Sequence, residues 1–223
     1  MTRPACIEKL ASVIASVRRD HPTKVGIDGA DGAGKTTLAD ELVVPLVRTG
    51  RQVIRASVDG FHNPKKFRYR RGVDSPDGYY LDTFDYPALQ SQLLEPLSPG
   101  GTRRFRRAVF DYRNDRAVDA AEETAASNAI LLFDGVFLQR PELADVWDIR
   151  IWVEAPFGVT VPRAVSRDRA RGDASTDLEA RYERRYVQGQ LMYINQCEPM
   201  KRADIIVYNE DVSRPRLECR HLR

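Results

Sequence analysis

The sequence predicts a three-layer α/β fold, a parallel sheet flanked by helices, on three observations. Short, almost wholly apolar runs bounded by polar residues recur along the chain, as strands buried on both faces require. Segments of helical period separate them. A glycine-rich turn at 29–36 joins the first such run to the helix behind it, and strand, helix and strand with short connections imply parallel strands.

From about Ala5 to Arg19, residues Ile7, Leu10, Val13, Ile14 and Val17 share a helical face. His21-Pro22 is a stop. Lys24 to Asp28 is a short strand that runs directly into the glycine turn. Lys35 to Arg48 is an amphipathic helix carrying Leu38, Leu42, Val43 and Leu46, with Gly50 just past its end. Gln52 to Val58 is the next strand, ending at Asp59-Gly60-Phe61. The stretch from Asn63 to Gly78 is polar, basic and rich in Pro and Gly, so a long surface loop is expected. Pro87 to Leu97 looks helical, Ser98 to Gly101 is a turn, and Arg103 to Tyr112 has strand character. A helix or loop near Asp119 to Asn128 precedes the strand Ala129 to Asp134. Asp148 to Glu154 is a further strand, Val159 to Arg171 an arginine-rich helix, Leu178 to Tyr193 another helix, and Ala203 to Tyr208 a last strand.

The chain of 223 residues is long enough for one core with excursions, and a single domain over 1–223 is expected. Excursions from that core are expected near 62–115 and near 160–175. An apolar fraction of 42% and a charged fraction of 30% fit a globular protein. The formal net charge of +3 gives no strong basic field, so no nucleic-acid polymer is expected as a partner. No stretch is long and apolar enough to span a bilayer, and Met1-Thr2-Arg3-Pro4 has no apolar signal segment behind it; no membrane partner and a cytoplasmic location are expected. Cys6, Cys197 and Cys219 are widely spaced, which suits free thiols in a reducing compartment.

The turn reads Gly29-Ala30-Asp31-Gly32-Ala33-Gly34-Lys35-Thr36, with Thr37 behind it. Glycines at this spacing let successive N–H groups point inward at a polyphosphate. The following helix turns its positive end on the same anion. Lys35 adds a mobile charge, and Thr36 a hydroxyl for Mg²⁺. The fold expected is therefore the P-loop NTPase fold, with ATP and Mg²⁺ as cofactors. Asp134, at the end of a buried strand, is placed to hold the metal's water shell; the other reading is a turn aspartate before Gly135. No Asn-Lys-x-Asp segment is present, which argues against a regulatory GTPase.

A small-molecule kinase needs in addition a base near the acceptor hydroxyl, an acceptor pocket and mobile cations. Asp59 ends the second strand, at the sheet edge where ligands bind. A carboxylate there is a candidate base, and an Asp-Gly turn is the competing reading. Arg163, Arg167 and Arg171 are four residues apart, so they share a helix face. They suit a lid closing on ATP, or else a solvated face beside Asp168 and Asp173.

These residues resemble the uridine kinase and pantothenate kinase group of P-loop kinases over most of the chain. Ser57-Val58-Asp59-Gly60-Phe61 is similar to that group's second-strand motif, whose aspartate is the catalytic base, and the Asp-Gly-Phe form is nearer the pantothenate branch. Phe84-Asp85-Tyr86-Pro87 resembles a Phe-Asp-His-Pro motif whose aspartate binds ribose hydroxyls. Leu132-Phe133-Asp134-Gly135 resembles Phe-Glu-Gly, with Asp for Glu. The charge spacing from Arg163 to Gly172 resembles the group's lid, and Glu198-Pro199, Lys201 and Ala203 to Val207 resemble its closing segment. Phe110-Asp111-Tyr112 resembles the stretch beside the uridine pocket with its aromatics exchanged, and Asp115 stands where that group carries a histidine. A carboxylate for an imidazole reverses hydrogen-bond polarity, so the base specificity is left open. Tyr79 and Tyr80 stack on a planar substrate or pack at a core edge. The resemblance implies an ATP-dependent kinase acting on a hydroxyl of a nucleoside-like small molecule, and it leaves a homo-oligomer open. Two alternatives remain: a kinase of pantothenate, a sugar or another acceptor, and a nucleotide-binding regulator or NTPase without an acceptor.

Overall fold

Successive buried residues point to opposite faces of each central strand, and helices cover both faces. The computed structural model describes residues 1–220. Helix α1 (Arg3–Ser16) comes first, then β1 (Thr23–Gly29), α2 (Lys35–Val47) and β2 (Val53–Ser57). A 3₁₀ turn over Val58–Phe61 follows, and then three short helices: α3 (Lys65–Arg68), α4 (Pro76–Asp82) and α5 (Tyr86–Leu89). The last runs on as a π-helical stretch, Gln90–Leu94. Four two-residue strands come next: β3 (Arg104–Phe105), β4 (Phe110–Asp111), β5 (Arg116–Ala117) and β6 (Glu123–Thr124). The chain continues through β7 (Ile130–Gly135), β8 (Ile149–Glu154), α6 (Phe157–Ala170), α7 (Leu178–Arg181) and a π-helical stretch, Tyr182–Val187. It ends with α8 (Gln188–Cys197), α9 (Pro199–Arg202), β9 (Ile205–Tyr208) and β10 (Arg216–Cys219).

The main sheet has the order β10-β9-β8-β1-β7-β2. All pairs are parallel except β9 with the edge strand β10. In β7, Ile130 and Leu132 face one layer with α1 and α2, while Leu131 and Phe133 face the other with α4, α5 and α8. Every residue of β1 and β7 is buried, which accounts for the apolar run Ile130 to Phe133 in β7, while β1 buries the polar Thr23, Lys24 and Asp28 as well. Three layers and a mostly parallel sheet agree with the expected fold class.

Several expectations are corrected. The segment 63–78 is not a structureless loop: it holds α3 and the start of α4, whose Ser75 Oγ accepts the Gly78 N–H at 3.0 Å. Arg103 to Tyr112 is not one strand. Its ends join two separate ribbons, β3 with β6 and β4 with β5, because Arg103 takes a left-handed φ of 61° and Val109 bonds back to the Gly60 carbonyl. The span 119–128, expected as a helix or a loop, is a loop that carries only the short strand β6. Helix α1 stops at Ser16, where Val17 turns extended, short of the His21-Pro22 signal. The helix expected over 178–193 is interrupted by π-helical geometry, and β10 was not anticipated at all. The three cysteines are free, Cys6 and Cys197 buried and Cys219 exposed. Among the described residues no helix is long and apolar enough to cross a membrane.

Candidate active site

The carboxyl ends of β1, β7 and β2 lie side by side, so the residues that follow them converge on one cleft. Between β1 and α2 the chain curls through Gly29, Ala30, Asp31, Gly32, Ala33 and Gly34 before Lys35 opens the helix. Gly32 and Gly34 are left-handed, with φ of 80° and 99°. A Cβ on Gly32 would sit 2.1 Å from the Thr160 carbonyl oxygen of α6, so no side chain fits there. The first amides of α2 have no intrahelical acceptor, which leaves the N-terminal end of the helix dipole facing the cleft. Lys35 Nζ donates to the Ala30 carbonyl at 2.8 Å, folded back over the turn.

Thr36 Oγ1 donates to Asp134 Oδ2 at 2.6 Å, and Arg55 Nη1 holds the other oxygen, Oδ1, at 2.8 Å. Arg55 also reaches Asp40, at 2.8 Å. Strand register puts Asp134 between Ile27 of β1 and Ser57 of β2, which fixes its height in the cleft. A hydroxyl and a carboxylate oxygen side by side are the hard oxygen donors that Mg²⁺ takes, with phosphate and water completing its shell. No group of three or more His, Cys, Asp or Glu side chains suited to a metal occurs among the described residues, and such an ion does not need one.

Asp59 sits in the 3₁₀ turn after β2, its N–H donating to Ser57 Oγ at 3.3 Å. Asp59 is exposed on the cleft, with the cleft walls close around its carboxylate. That enclosure, reinforced by the Asp134 and Asp31 carboxylates and opposed by Lys35 and Arg167, pushes its pKa up to about 6. His62 Nδ1 donates to the Asp59 carbonyl at 3.0 Å, and its ring stacks on Tyr112 at 4.5 Å and meets Phe84 edge-on. Burial lowers the His62 pKa to about 4, so this platform is neutral near pH 7. The whole cleft measures about 570 Å³. It adjoins a second chamber of about 370 Å³, with which it shares the lining residues His62, Tyr79, Tyr112, Arg113 and Tyr186.

Of the residues expected at the site, Asp31, Lys35, Thr36, Asp59, Tyr79, Tyr112, Asp134, Arg167 and Arg171 line the main cleft, and Asp115 lines the adjoining chamber. Others lie elsewhere. Arg163 is drawn off by the carbonyls of Asn209 and Glu210, at 3.0 and 2.7 Å. Thr37 is exposed on α2. Asp85 caps α5, accepting the Ala88 N–H at 2.9 Å. Phe110 sits in β4 opposite Ala117. Tyr80 is buried with its hydroxyl 3.6 Å from Cys197 Sγ, and so packs the core. The sequence reading missed His62, Arg113, Asp168, Tyr182 and Tyr186 in the cleft lining. Only His62 had a local signal, following Asp59-Gly60-Phe61 directly.

Two further ties hold the cradle. Tyr79 Oη donates to Asp31 Oδ2 at 2.6 Å, and Gln190 Oε1 accepts the Asp31 N–H at 2.8 Å. Below them the buried Asp28 accepts the Gly29 N–H at 2.8 Å and the Tyr193 hydroxyl. Burial outweighs these bonds and pushes its pKa up to about 6.

A phosphate cradle at the head of a helix, set on the edge of a parallel sheet, marks a P-loop NTPase fold. The chain belongs to the Phosphoribulokinase / Uridine kinase family, whose model matches residues 25–213. It is 27% identical over 197 residues to a uridine kinase of Ligilactobacillus salivarius (strain UCC118), covering 85% of this chain and 86% of that one. It is 28% identical over 198 residues to a uridine kinase of Leuconostoc citreum (strain KM20), with 83% and 87% covered. Among solved structures, a possible uridine kinase from Bacillus stearothermophilus superposes with a TM-score of 0.70 at 23% identity, over 91% of this chain and 97% of that one. A candidate fructose transport system kinase from Silicibacter sp. TM1040 also gives 0.70, at 25% identity, over 87% and 95%.

Proposed function

We propose that the protein transfers the γ-phosphate of ATP to a hydroxyl group of a small-molecule acceptor. The observation that carries this reading is the position of Asp59: one cleft holds it together with Lys35, Thr36 and Asp134, and that cleft adjoins a separate aromatic and basic chamber. A carboxylate between a phosphate cradle and a second chamber suits proton removal from a hydroxyl held there. Its pKa of about 6 leaves it ionised near neutrality and still basic enough to accept a proton.

In this reading the amides at the start of α2 and Lys35 hold the phosphates, and Arg167 and Arg171 lie where charge gathers on the transferring group. Thr36 and Asp134 would hold Mg²⁺, which when bound supplies charge neutralisation on the phosphate oxygens. Arg55 keeps one oxygen of Asp134 occupied and thereby fixes the other toward Thr36.

The relatives named uridine kinase support a nucleoside-like acceptor. A second reading, a kinase of another acceptor such as a hydroxy acid or a sugar derivative, is favoured by two observations. Asp85 is spent on capping α5, and Asp115 is tied to the Lys65 N–H at 2.7 Å. ADP release measured with nucleosides, pantothenate and sugars side by side separates these readings. Release without any acceptor, or nucleotide binding without release, would point instead to an NTPase or a regulator.

A further inference from the structure

Arginines in this protein are mostly matched by acids. Arg70 and Arg71 share Asp82, Arg107 pairs with Glu123, Arg140 with Glu142, and Arg55 with Asp134 and Asp40. The smaller chamber departs from this pattern. Lys65, Arg68, Arg113 and Arg185 line it against one carboxylate, Asp115. Asp115 is already engaged, accepting the Lys65 N–H at 2.7 Å and lying 3.5 Å from Arg68. His62, neutral near pH 7, supplies neither charge.

Two of the cations are also held in place. Arg68 Nε donates to the Asn63 carbonyl at 2.8 Å, and Arg185 to the carbonyls of Gly72, Val73 and Ser75. Arg185 therefore contributes field rather than contact. Arg113 stands between the two chambers, lining both, in the fields of the Tyr112 hydroxyl and the Asp59 and Asp111 carboxylates. Like charges gathered around a concave space repel unless an anion enters it. Even with Asp59 and Asp111 counted beside Asp115, four cations meet three carboxylates, and a neutral acceptor would leave that surplus uncompensated.

We propose that the acceptor is an anion: a molecule whose hydroxyl reaches Asp59 while a carboxylate or phosphate ester at its other end meets Arg113, Lys65 and Arg68. The inference rests on the kinase reading above and adds the charge of the substrate to it. Guanidinium pairs with carboxylate and phosphate through charge-assisted hydrogen bonds, and the loss of one such contact weakens binding about ten- to a hundredfold.

The test uses the full chain and acceptor pairs that differ in charge: pantothenate with pantothenyl alcohol, glycerate with glycerol, and fructose 6-phosphate with fructose, beside uridine. ADP release is followed at low salt and again in 0.3 M KCl. The expected result is that at least one anionic member exceeds its neutral partner about tenfold or more in kcat/KM and loses that advantage in salt. Arg113→Gln should then raise KM for the anionic acceptor about ten- to a hundredfold, and Arg113→Lys should recover part of it. The carboxylate and phosphate pairs show which anion is used. Turnover of uridine or the neutral partners at equal or higher efficiency overturns the inference while leaving the kinase standing. An unchanged charge preference in Arg113→Gln also overturns it. ADP release with no acceptor in the panel overturns both.

Discussion

Asp59 as the base makes a quantitative statement about pH. Its pKa stands at about 6 against an ordinary 3.8, so the ionised form falls to half at pH 6 and to about a tenth at pH 5. The acceptor's kcat/KM at saturating ATP should follow that fraction, level above pH 7 and dropping tenfold per unit below pH 6. Asp59→Asn should cost on the order of 10²–10⁴ in rate while nucleotide still binds. ATP titrates near the same range, so the break needs an assignment to the protein. The neighbours provide it. Asp31 raises the Asp59 pKa and Arg167 lowers it, so Asp31→Asn should move the break to lower pH and Arg167→Gln to higher pH. ADP release in a coupled assay between pH 5 and 8.5, on the three variants and the parent, measures all of this. A break that stays fixed in both neighbour variants, or turnover intact in Asp59→Asn, removes Asp59 as the base.

Lys35→Ala should abolish turnover, by at least 10²–10³, with an unaltered circular dichroism spectrum, since its present contact is a single bond to the Ala30 carbonyl. Gly32→Ala combines a φ of 80° with a Cβ 2.1 Å from Thr160 oxygen, so it should lower the melting temperature and weaken ATP binding in the same variant. Asp28 is a stability probe. Its folded pKa of about 6 exceeds the ordinary 3.8, so the folded state holds more protons between those values. Burying the charge therefore costs nothing below pH 4 and about 3 kcal/mol above pH 7. Urea titrations at pH 7 and pH 5 should show the parent gaining about 1 kcal/mol relative to Asp28→Asn on acidification. A constant difference would refute an ionised Asp28 at neutral pH.

What could be read from sequence was what the chain decides locally. Glycines at 29, 32 and 34, the unbroken run Ile130-Leu131-Leu132-Phe133 and the period of α2 each carry their own reason. The acceptor side was hidden because tertiary bonds make it. Helices α3 and α4 are four and seven residues long, too short to stand alone. They are held by Arg185, which comes from more than a hundred residues away to bond Gly72, Val73 and Ser75. The arginine face shows the limit of spacing arguments. Steps of four residues drift about 40° each around a helix, so Arg163 and Arg171 diverge by about 80°. That is enough for Arg167 and Arg171 to line the cleft while Arg163 turns to the loop after β9. Asp85 looked like a ligand and became a cap because Pro87 follows it at the start of a helix, a context that favours capping.

Asp31 is the least expected member of the cradle, since a carboxylate there repels the phosphates the turn is built to hold. Its bonds show how that repulsion is contained. The Tyr79 hydroxyl takes one oxygen at 2.6 Å, Gln190 holds the backbone N–H, and Arg167 lies close enough to feel the charge. Tyr79 also forms the wall between the cleft and the basic chamber, packed on Phe137 and Tyr186. One side chain thus touches the phosphate cradle at its hydroxyl and the acceptor chamber along its ring. Any shift of Asp31 when a polyphosphate enters must move, or release, the wall against which the acceptor rests. Under the proposed kinase reading, Tyr79 would therefore couple the two substrate sites, and an anionic acceptor on one side of its ring would be matched by an acid on the other.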